Sequence, residues 1–311
     1  MTEIWTMGEL LAEVMRPERG LPLDRPAPFV GPFPSGAPGI FADTVARLGH
    51  SSGIVSGVGD DPFGTAILER LRRDGVRTDM VMVVPHRATG VAFVAYAADG
   101  TRSFLFHWQG TPAVMAGVPP RGTAAGTTFF HVMGCSLMAD RSFADRLVET
   151  MELFAAEGAQ VTFDPNIRAE LLAEGDAGGI VAPILARCSI LLPGASELAS
   201  LGGTDDLDSA AAILMAAHPI RLIALKLGRA GCRVYDGDQR IDVPAYAVDE
   251  VDPTGAGDAF DAGFLCGLLD GEAPEDAARL AAAAGALNAA AFGPMEGDIS
   301  PATVARLRAR G

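Results

Sequence analysis

The sequence predicts an α/β protein in which helices cross over between the strands of a sheet. Short apolar runs with the length of buried strands recur along the chain, at residues 53–56, 128–132, 160–163, 190–192 and 222–225. Stretches with the apolar spacing of a helix lie between these runs, at residues 40–48, 65–73, 143–156 and 210–217. This alternation of strands and helices is typical of βαβ units.

Two segments break the alternation and predict a small β unit. Residues 17–38 hold many prolines and show no helical period. Residues 89–108 alternate apolar and polar side chains on both sides of an Ala-Asp-Gly turn, which predicts a hairpin of two strands. The hairpin has no helical pattern beside it and therefore indicates a separate β subdomain, although an edge hairpin of the main sheet fits the same pattern.

The composition excludes several classes of protein. Of the 311 residues, 49% are hydrophobic, which allows a large core. The net charge of −15, without any Lys- or Arg-rich run, disfavours a nucleic-acid partner. The acidic N-terminal segment 1–18 does not resemble a signal peptide, and the weakly polar stretch 280–292 is too short to cross a bilayer. A cytoplasmic protein without a membrane partner is expected.

The pattern of cysteines also fits a cytoplasmic protein. They stand far apart in apolar surroundings and no two have metal-ligand spacing: Cys135, Cys188, Cys232 and Cys266. They are predicted to be reduced thiols in the core.

The segment 251–269, VDPTGAGDAFDAGFLCGLL, carries the clearest chemical signal. Gly255 and Gly257 precede an apolar helical run, so that successive N–H groups converge where the helix dipole favours an anion. Asp258 at this helix start would stay ionised and accept a proton from a hydroxyl held beside that anion. Gly-Ala-Gly-Asp alone also fits an ordinary helix start, but the string has neither the ending of a P-loop nor the spacing of a dinucleotide fingerprint.

The string DPTGAGDAFDAGF resembles the C-terminal signature of the ribokinase-like (PfkB) sugar kinases. Other blocks resemble that family in the same order: SGAPGIFADTVARLG (35–49), GVGDDPFG (57–64), FDPNIR (163–168), ELASL (197–201), LKLGRAGC (225–232) and AAGALNAAAFG (283–293). The ordered series is far more specific than any one block, and on it the chain is identified as a member of the family.

The resemblance implies a central, mostly parallel sheet with helices on both faces, together with a small β lid. The large domain is expected to comprise residues 1–11, 39–84 and 112–311, and the lid residues 12–38 and 85–111. A sugar would lie between lid and sheet, and ATP with Mg²⁺ along the C-terminal part. Lid hairpins in this family often pair between subunits, which implies a homodimer.

The resemblance also implies roles for individual residues. Gly255, Ala256 and Gly257 would form the anion hole, and Asp258 would be the catalytic base. The nucleotide is expected near Lys226, Gly228, Gly231, Thr254 and Asn288. Glu197 would act on Mg²⁺ through water, and Asp252 with Thr254 would hold a monovalent cation such as K⁺. The expected sugar contacts are Gly36, Asp43, His107, Trp108, Asn166, Arg168 and Asp258.

Three positions depart from the family pattern. Ser35 stands in place of the first glycine of a Gly-Gly pair, and Ile40 in place of an asparagine, which leaves the sugar contacts there open. Gly194 replaces the asparagine three residues before Glu197, so one polar support for Mg²⁺ is missing.

The lid residues bear on the choice of sugar. The chain resembles the 2-keto-3-deoxygluconate kinases, which place an Arg where Trp108 stands here. Trp108 suits stacking on a neutral sugar ring, with His107 as a hydroxyl partner, and it equally suits packing under the lid. Arg102, beside the hairpin turn, fits a solvated position, and with Arg168 it remains an anion partner. A ketohexose such as tagatose or fructose is therefore preferred over a keto-deoxy acid, and a nucleoside stays open.

Three polar residues admit two interpretations each. Asp43 fits both a hydroxyl contact and a helix-dipole partner, and Asn166 fits both a cleft contact and an Asx turn after Pro165. His131 is expected at a strand end near the sugar cleft.

Non-kinase classes fit less well. A binding regulator without turnover need not keep Asp258, and a dehydrogenase needs a dinucleotide loop where the chain has Gly8-Glu9-Leu10.

Overall fold

The computed structural model describes residues 2–99, 101–138, 140–167 and 177–310. The strands in chain order are β1 (Ile4–Met7), β2 (Leu11–Met15), β3 (Val30–Ser35), β4 (Ser52–Gly59), β5 (Val81–Val84), β6 (Gly90–Tyr96), β7 (Arg102–His107), β8 (Phe129–Met133), β9 (Gln160–Asp164), β10 (Cys188–Leu191), β11 (Leu222–Lys226), β12 (Cys232–Asp236) and β13 (Gln239–Val243). The helices are α1 (Ala37–Arg47), α2 (Pro62–Arg73), α3 (Gly134–Met138), α4 (Arg141–Ala156), α5 (Ala177–Leu185), α6 (Ala195–Gly202), α7 (Leu207–Ala217), α8 (Ala256–Leu269), α9 (Pro274–Ala289) and α10 (Pro301–Arg308).

The larger sheet is mostly parallel, as the sequence predicts. Its strand order is β13-β12-β11-β10-β9-β8-β1-β4-β5 within the described residues. The strands from β11 to β5 pair in parallel, and β12 and β13 extend one edge as antiparallel strands. The carboxyl ends of the parallel strands therefore meet along one edge of the sheet, where α/β proteins bind their ligands.

Helices cover both faces of this sheet. Phe129 and Phe130, neighbours on β8, belong to two different hydrophobic cores because successive side chains on a strand point to opposite faces. Phe130 packs with the side of α4, including Leu147, while Phe129 packs with the side of α8, including Phe264. Burial on both faces explains why these strands read as continuous apolar runs.

The helices begin two or three residues earlier than the apolar pattern predicts. The reason is that polar caps and prolines occupy the first turn. Asp61 accepts a hydrogen bond from the backbone N–H of Gly64 at 2.8 Å, Asp140 does so from Phe143, and Asp206 from Ser209. Apolar spacing marks the buried face of a helix and does not register a capped first turn.

A second sheet has the order β3-β2-β6-β7. The predicted hairpin is present as the antiparallel pair β6–β7, and the proline-rich segment contributes β3. Strand β2 joins the two parts through parallel pairing with β6. This sheet is called the lid sheet below; the division of the chain into two domains at the residues given above stays a prediction.

All four cysteines are buried thiols. No helix of the described residues combines the length and the apolar character needed to cross a membrane.

Candidate active site

The N-terminus of α8 lies between two cavities. Gly255 precedes the helix with a φ of 77°, a left-handed conformation that favours glycine. Ala256 and Gly257, in the first turn, line a cavity of about 490 Å³. Gly255 and Asp258 line a smaller cavity of about 50 Å³ beneath the lid sheet. The first N–H groups of a helix have no acceptor within it, so the predicted anion hole stands where the two cavities meet.

The larger cavity contains three of the residues predicted for the nucleotide. Lys226, Gly228 and Gly231, which end β11 and follow it, form one wall. Small residues of α9, Ala282 and Gly285 among them, form another. The wall is consequently flat and apolar, a shape suited to a planar ring.

Two further residues that were predicted to lie near the nucleotide do not line the larger cavity. Asn288 is 1% exposed and is absent from the described wall of the larger cavity, because its amide nitrogen donates to the carbonyl oxygens of Thr254 at 2.8 Å and Pro294 at 3.1 Å. Thr254 lines the smaller cavity instead.

Lys226 is held by carboxylates. Its Nζ lies 2.8 Å from Oδ2 of Asp164 and 3.1 Å from both carboxylate oxygens of Asp261. Burial by itself would lower the pKa of Lys226, yet the charges of Asp164 and Asp261 outweigh burial and raise that pKa. The lysine therefore stays charged, with its ammonium group turned toward these carboxylates.

The smaller cavity combines an aromatic wall with buried carboxylates. Phe104, Phe106 and Trp108 alternate along β7 and its end, and they stack with ring centroids 5.4 Å and 5.5 Å apart. Trp108 is 1% exposed and lines the cavity together with Gly36 and Asp258, which are also among the predicted sugar contacts.

Two glutamates of this cavity were missed by the sequence analysis. Glu9, after β1, accepts a hydrogen bond from Ser136 Oγ at 2.6 Å, and Glu13, in β2, accepts one from Ser35 Oγ at 2.5 Å. Each glutamate is only 3% exposed. A charged residue inside the apolar run LLAEVM is the signal that identifies Glu13, because buried carboxylates are rare unless they are bound.

Arg102 also lines the smaller cavity, with its guanidinium 5.8 Å from the centroid of the Phe104 ring. Arg102 is half-buried there, and its role as an anion partner stays a prediction.

Asp258 is 6% exposed and stands in the first turn of α8. The side-chain nitrogen of Asn166, which follows β9, lies 3.4 Å from Asp258 Oδ1. Asn166 thus reaches the cleft. Its backbone N–H donates to Asp164 Oδ1 at 3.1 Å, so the Asx turn here is formed by the side chain of Asp164 and not by that of Asn166. A sugar contact of Asn166 stays a prediction.

Two histidines and one aspartate that were predicted to lie at or near the sugar site are not among the described residues that line either cavity. His107 is exposed on the outer face of the lid sheet, with its ring 5.8 Å from that of Phe93. Asp43 is bound to Arg70 at 3.3 Å, and burial raises its pKa to about 7. His131 is stacked on Phe41 at 4.1 Å, and burial lowers its pKa to about 3. Arg168 lies outside the described residues.

Glu197 is engaged by the backbone. Its Oε1 accepts from the N–H of Ile167 and its Oε2 from that of Gly194, both at 2.7 Å. Burial and the nearby Asp164 carboxylate raise the pKa of Glu197. No group of three or more His, Cys, Asp or Glu residues in the described part is placed to ligate a metal directly. The donor set fits an ion such as Mg²⁺, which keeps most of its waters and takes few protein ligands.

Asp252 and Thr254 lie in the loop before α8, where they meet the end of the lid strand β6. The Tyr96 hydroxyl donates to Asp252 Oδ1 at 2.5 Å and is 3.0 Å from Thr254 Oγ1. Burial and this bond to Asp252 raise the pKa of Tyr96, which keeps the hydroxyl protonated. Ile40 lines the smaller cavity at the position where the family pattern has an asparagine.

The structure is an α/β protein in which the N-terminus of α8 lines both a larger cavity and a smaller one beneath the lid sheet. The chain belongs to the pfkB family of carbohydrate kinases, whose model matches residues 1–301. It is therefore a sugar kinase.

Named relatives agree with this assignment. The chain is 31% identical to fructokinase-1 of Oryza sativa subsp. japonica over 294 residues, 91% of this chain and 90% of the relative. It is also 31% identical to a fructokinase of Klebsiella pneumoniae over 280 residues, 90% of this chain and 88% of the relative. A solved Escherichia coli structure, assigned provisionally as a ribokinase II in complex with ATP and Mg²⁺, shares 34% identity over the whole of both chains with a TM-score of 0.93.

Proposed function

We propose that the chain transfers the γ-phosphoryl group of ATP to a hydroxyl of a neutral ketohexose, fructose or tagatose, with Asp258 as the base. One observation carries the proposal: the first turn of α8 presents Ala256 and Gly257 to the larger cavity and Asp258 to the smaller one. A phosphate chain and a hydroxyl placed on the two sides would meet at the anion hole. The fructokinase relatives and the ATP complex of the Escherichia coli relative support the same pair of substrates.

The chemical step follows from this placement. Asp258 accepts the proton of the sugar hydroxyl, and the oxygen forms a bond to the γ-phosphorus as the bond to the β-phosphate oxygen breaks. The N–H groups of Gly255, Ala256 and Gly257 stabilise the charge on the transferred group. The products are a sugar phosphate and ADP, and the proton remains on Asp258 until it is released to water.

Mg²⁺ bound to the phosphates would neutralise their charge and align them. Glu197 is the residue proposed to hold it through water, with Asp164 contributing negative charge beside it.

The charges of the smaller cavity favour a neutral sugar over a sugar acid. Glu9, Glu13 and Asp258 are carboxylic acids in its wall, and Arg102 is the basic residue among its described lining. A substrate carboxylate would meet more negative than positive charge in a confined volume, where repulsion is poorly screened. Sugar hydroxyls, in contrast, donate hydrogen bonds to carboxylates.

A keto-deoxy acid remains the second candidate because of Arg102. An ADP-release assay with Mg-ATP against ketohexoses, aldohexoses, 2-keto-3-deoxy acids and nucleosides decides between the two. We expect the highest kcat/KM on a ketohexose, and Arg102→Gln should leave that preference intact. Preferred turnover of the keto-deoxy acid, lost on Arg102→Gln, would overturn the neutral-sugar proposal and assign Arg102 to the carboxylate.

We further propose a homodimer formed through the outer face of the lid sheet, in the cytoplasm. Phe29 and Leu105 expose 40% and 47% of their surface, and Leu105 and His107 share the outer face of β7. Sedimentation velocity of the wild type and of Leu105→Lys tests the interface. A wild-type monomer at micromolar concentration would argue against it.

A further inference from the structure

The oxygens of Asp252 and Thr254, expected to hold a monovalent cation, already have donors within the protein. Asp252 Oδ1 accepts from the Tyr96 hydroxyl at 2.5 Å and from the N–H of Thr254 at 3.0 Å. Asp252 Oδ2 accepts from the N–H of Gly293 at 3.0 Å. Three donors of the protein itself therefore bind the two oxygens of the Asp252 carboxylate.

The side-chain amide of Asn288 lies between the loop that contains Thr254 and the loop that contains Pro294. Its Nδ2 lies 2.8 Å from the Thr254 carbonyl oxygen and 3.1 Å from that of Pro294. The orientation of this amide is set by chemistry, because both neighbours are acceptors and only the NH₂ end can donate to them. The NH₂ group thus fills the point between these two carbonyl oxygens at which a shared cation would bind.

The close packing around Asn288 leaves little room for a cation to take the place of its amide. Asp252 and Asn288 are each 1% exposed, and Thr254 is 5% exposed. A Cβ added to Gly255 would contact Asn288 Nδ2 at 2.9 Å. The asparagine is therefore packed directly against the residue that starts the anion hole.

We propose that Tyr96 and Asn288 hold the anion-hole loop in place of a monovalent cation, and that the enzyme works without K⁺. Both are positioning residues: they act through Asp252, Thr254 and Gly255. Tyr96 is the last residue of the lid strand β6, so the same bond also links the lid sheet to the anion hole. This inference takes the kinase activity as given and does not depend on which sugar is used.

The first test compares the wild-type protein in KCl and in choline chloride at equal ionic strength and fixed Mg-ATP. We expect kcat/KM for the sugar to differ by less than twofold, and the melting temperature to be the same in both salts, because a cation that binds only the folded state would raise it. A K⁺-specific activation of twofold or more, or a K⁺-specific rise in melting temperature, overturns the proposal. The melting measurement decides the matter even if the sugar is misassigned.

The second test removes one hydroxyl. Tyr96→Phe keeps the ring in its apolar cluster with Met15 and Val94 and loses only the bond to Asp252. We expect kcat to fall about tenfold while the Kd for a non-hydrolysable ATP analogue changes less than threefold, since the loop is displaced and the nucleotide wall is not. The matched control is Tyr235→Phe. It removes a 2.7 Å hydrogen bond between Tyr235 on β12 and Asp208 on α7, and it should leave both kcat and the Kd unchanged. Wild-type kcat in Tyr96→Phe would show that Tyr96 does not position the loop.

Discussion

The ammonium nitrogen of Lys226 lies 2.8 Å from Asp164 Oδ2, which joins the end of β11 to the end of β9 beside the first turn of α8. A lysine that borders a nucleotide-sized cavity thus contacts aspartates through its ammonium group. Its charge balances those of Asp164 and Asp261, and its contact with Asp164 joins the ends of β9 and β11, the two strands that flank β10.

Replacing Lys226 tests this role. Lys226→Met should lower the free energy of unfolding by about 3–5 kcal/mol, because it leaves buried carboxylates without their cation. Urea denaturation at neutral pH measures the change. Arg229→Met, at a residue 84% exposed and paired with Glu250, is the control and should change it by less than about 1 kcal/mol. Equal losses in the two variants would contradict the buried ion pair.

Asp258→Asn tests the proposed base. The amide cannot accept the hydroxyl proton, so kcat should fall by several orders of magnitude, about 3–6 kcal/mol of barrier, while ATP and sugar still bind. Steady-state ADP release and calorimetric binding separate the two effects. Asp270→Asn, just beyond the other end of α8, should retain wild-type kcat. Near-normal turnover by Asp258→Asn would remove the base assignment.

Glu13→Gln tests the missed carboxylate. We expect KM for the sugar to rise about tenfold or more with little change in KM for ATP, because hydrogen bonds to a charged group contribute about 1.5–3 kcal/mol. The same kinetics on Glu69→Gln, an exposed residue of α2, provide the comparison. If KM for the sugar stays constant, Glu13 does not contact it.

The raised pKa of Asp43 predicts that the free energy of unfolding depends on pH. Its pKa is raised to about 7 by burial, above the unfolded value of 3.8, so between these values the folded state binds more protons than the unfolded state. The contribution of Asp43 to the free energy of unfolding is therefore greatest at low pH and falls, by up to about 1.4 kcal/mol per pH unit, until pH reaches about 7.

Thermal and urea unfolding of the wild type and Asp43→Asn between pH 5 and about 8 measure this contribution. The variant should lose the part of the pH dependence that belongs to Asp43. Asp79→Asn, a half-exposed partner of Arg77, should keep the wild-type slope in this range, because the Arg77 hydrogen bond lowers the pKa of Asp79. A wild-type slope in Asp43→Asn would show that another group titrates there.

Sequence by itself determined the class of fold, and it predicted an anion hole at a helix start that the structure places on the walls of both cavities. Both depend on local information: the period of apolar residues specifies strands and helices, and glycines before a helix expose its N–H groups wherever that helix lies. The ordered motifs, which are also local in sequence, placed the chain in its family. Trp108, Gly36 and Asp258, three residues of the predicted sugar contacts, line the smaller cavity together.

The tertiary structure decided which polar groups meet. His107 and Trp108 are adjacent, yet strand alternation turns one outward and the other into the cavity. Glu13 lines the cavity from β2, which the lid sheet places between β3 and β6, and Glu9 is held there by Ser136 at the start of α3. Asn288 bonds the Thr254 loop, and Lys226 bonds Asp164, through contacts that span 34 and 62 residues of chain. A motif does not specify such contacts, because the partner of a buried polar group is chosen by the packing of distant elements and by the need to satisfy every buried donor and acceptor.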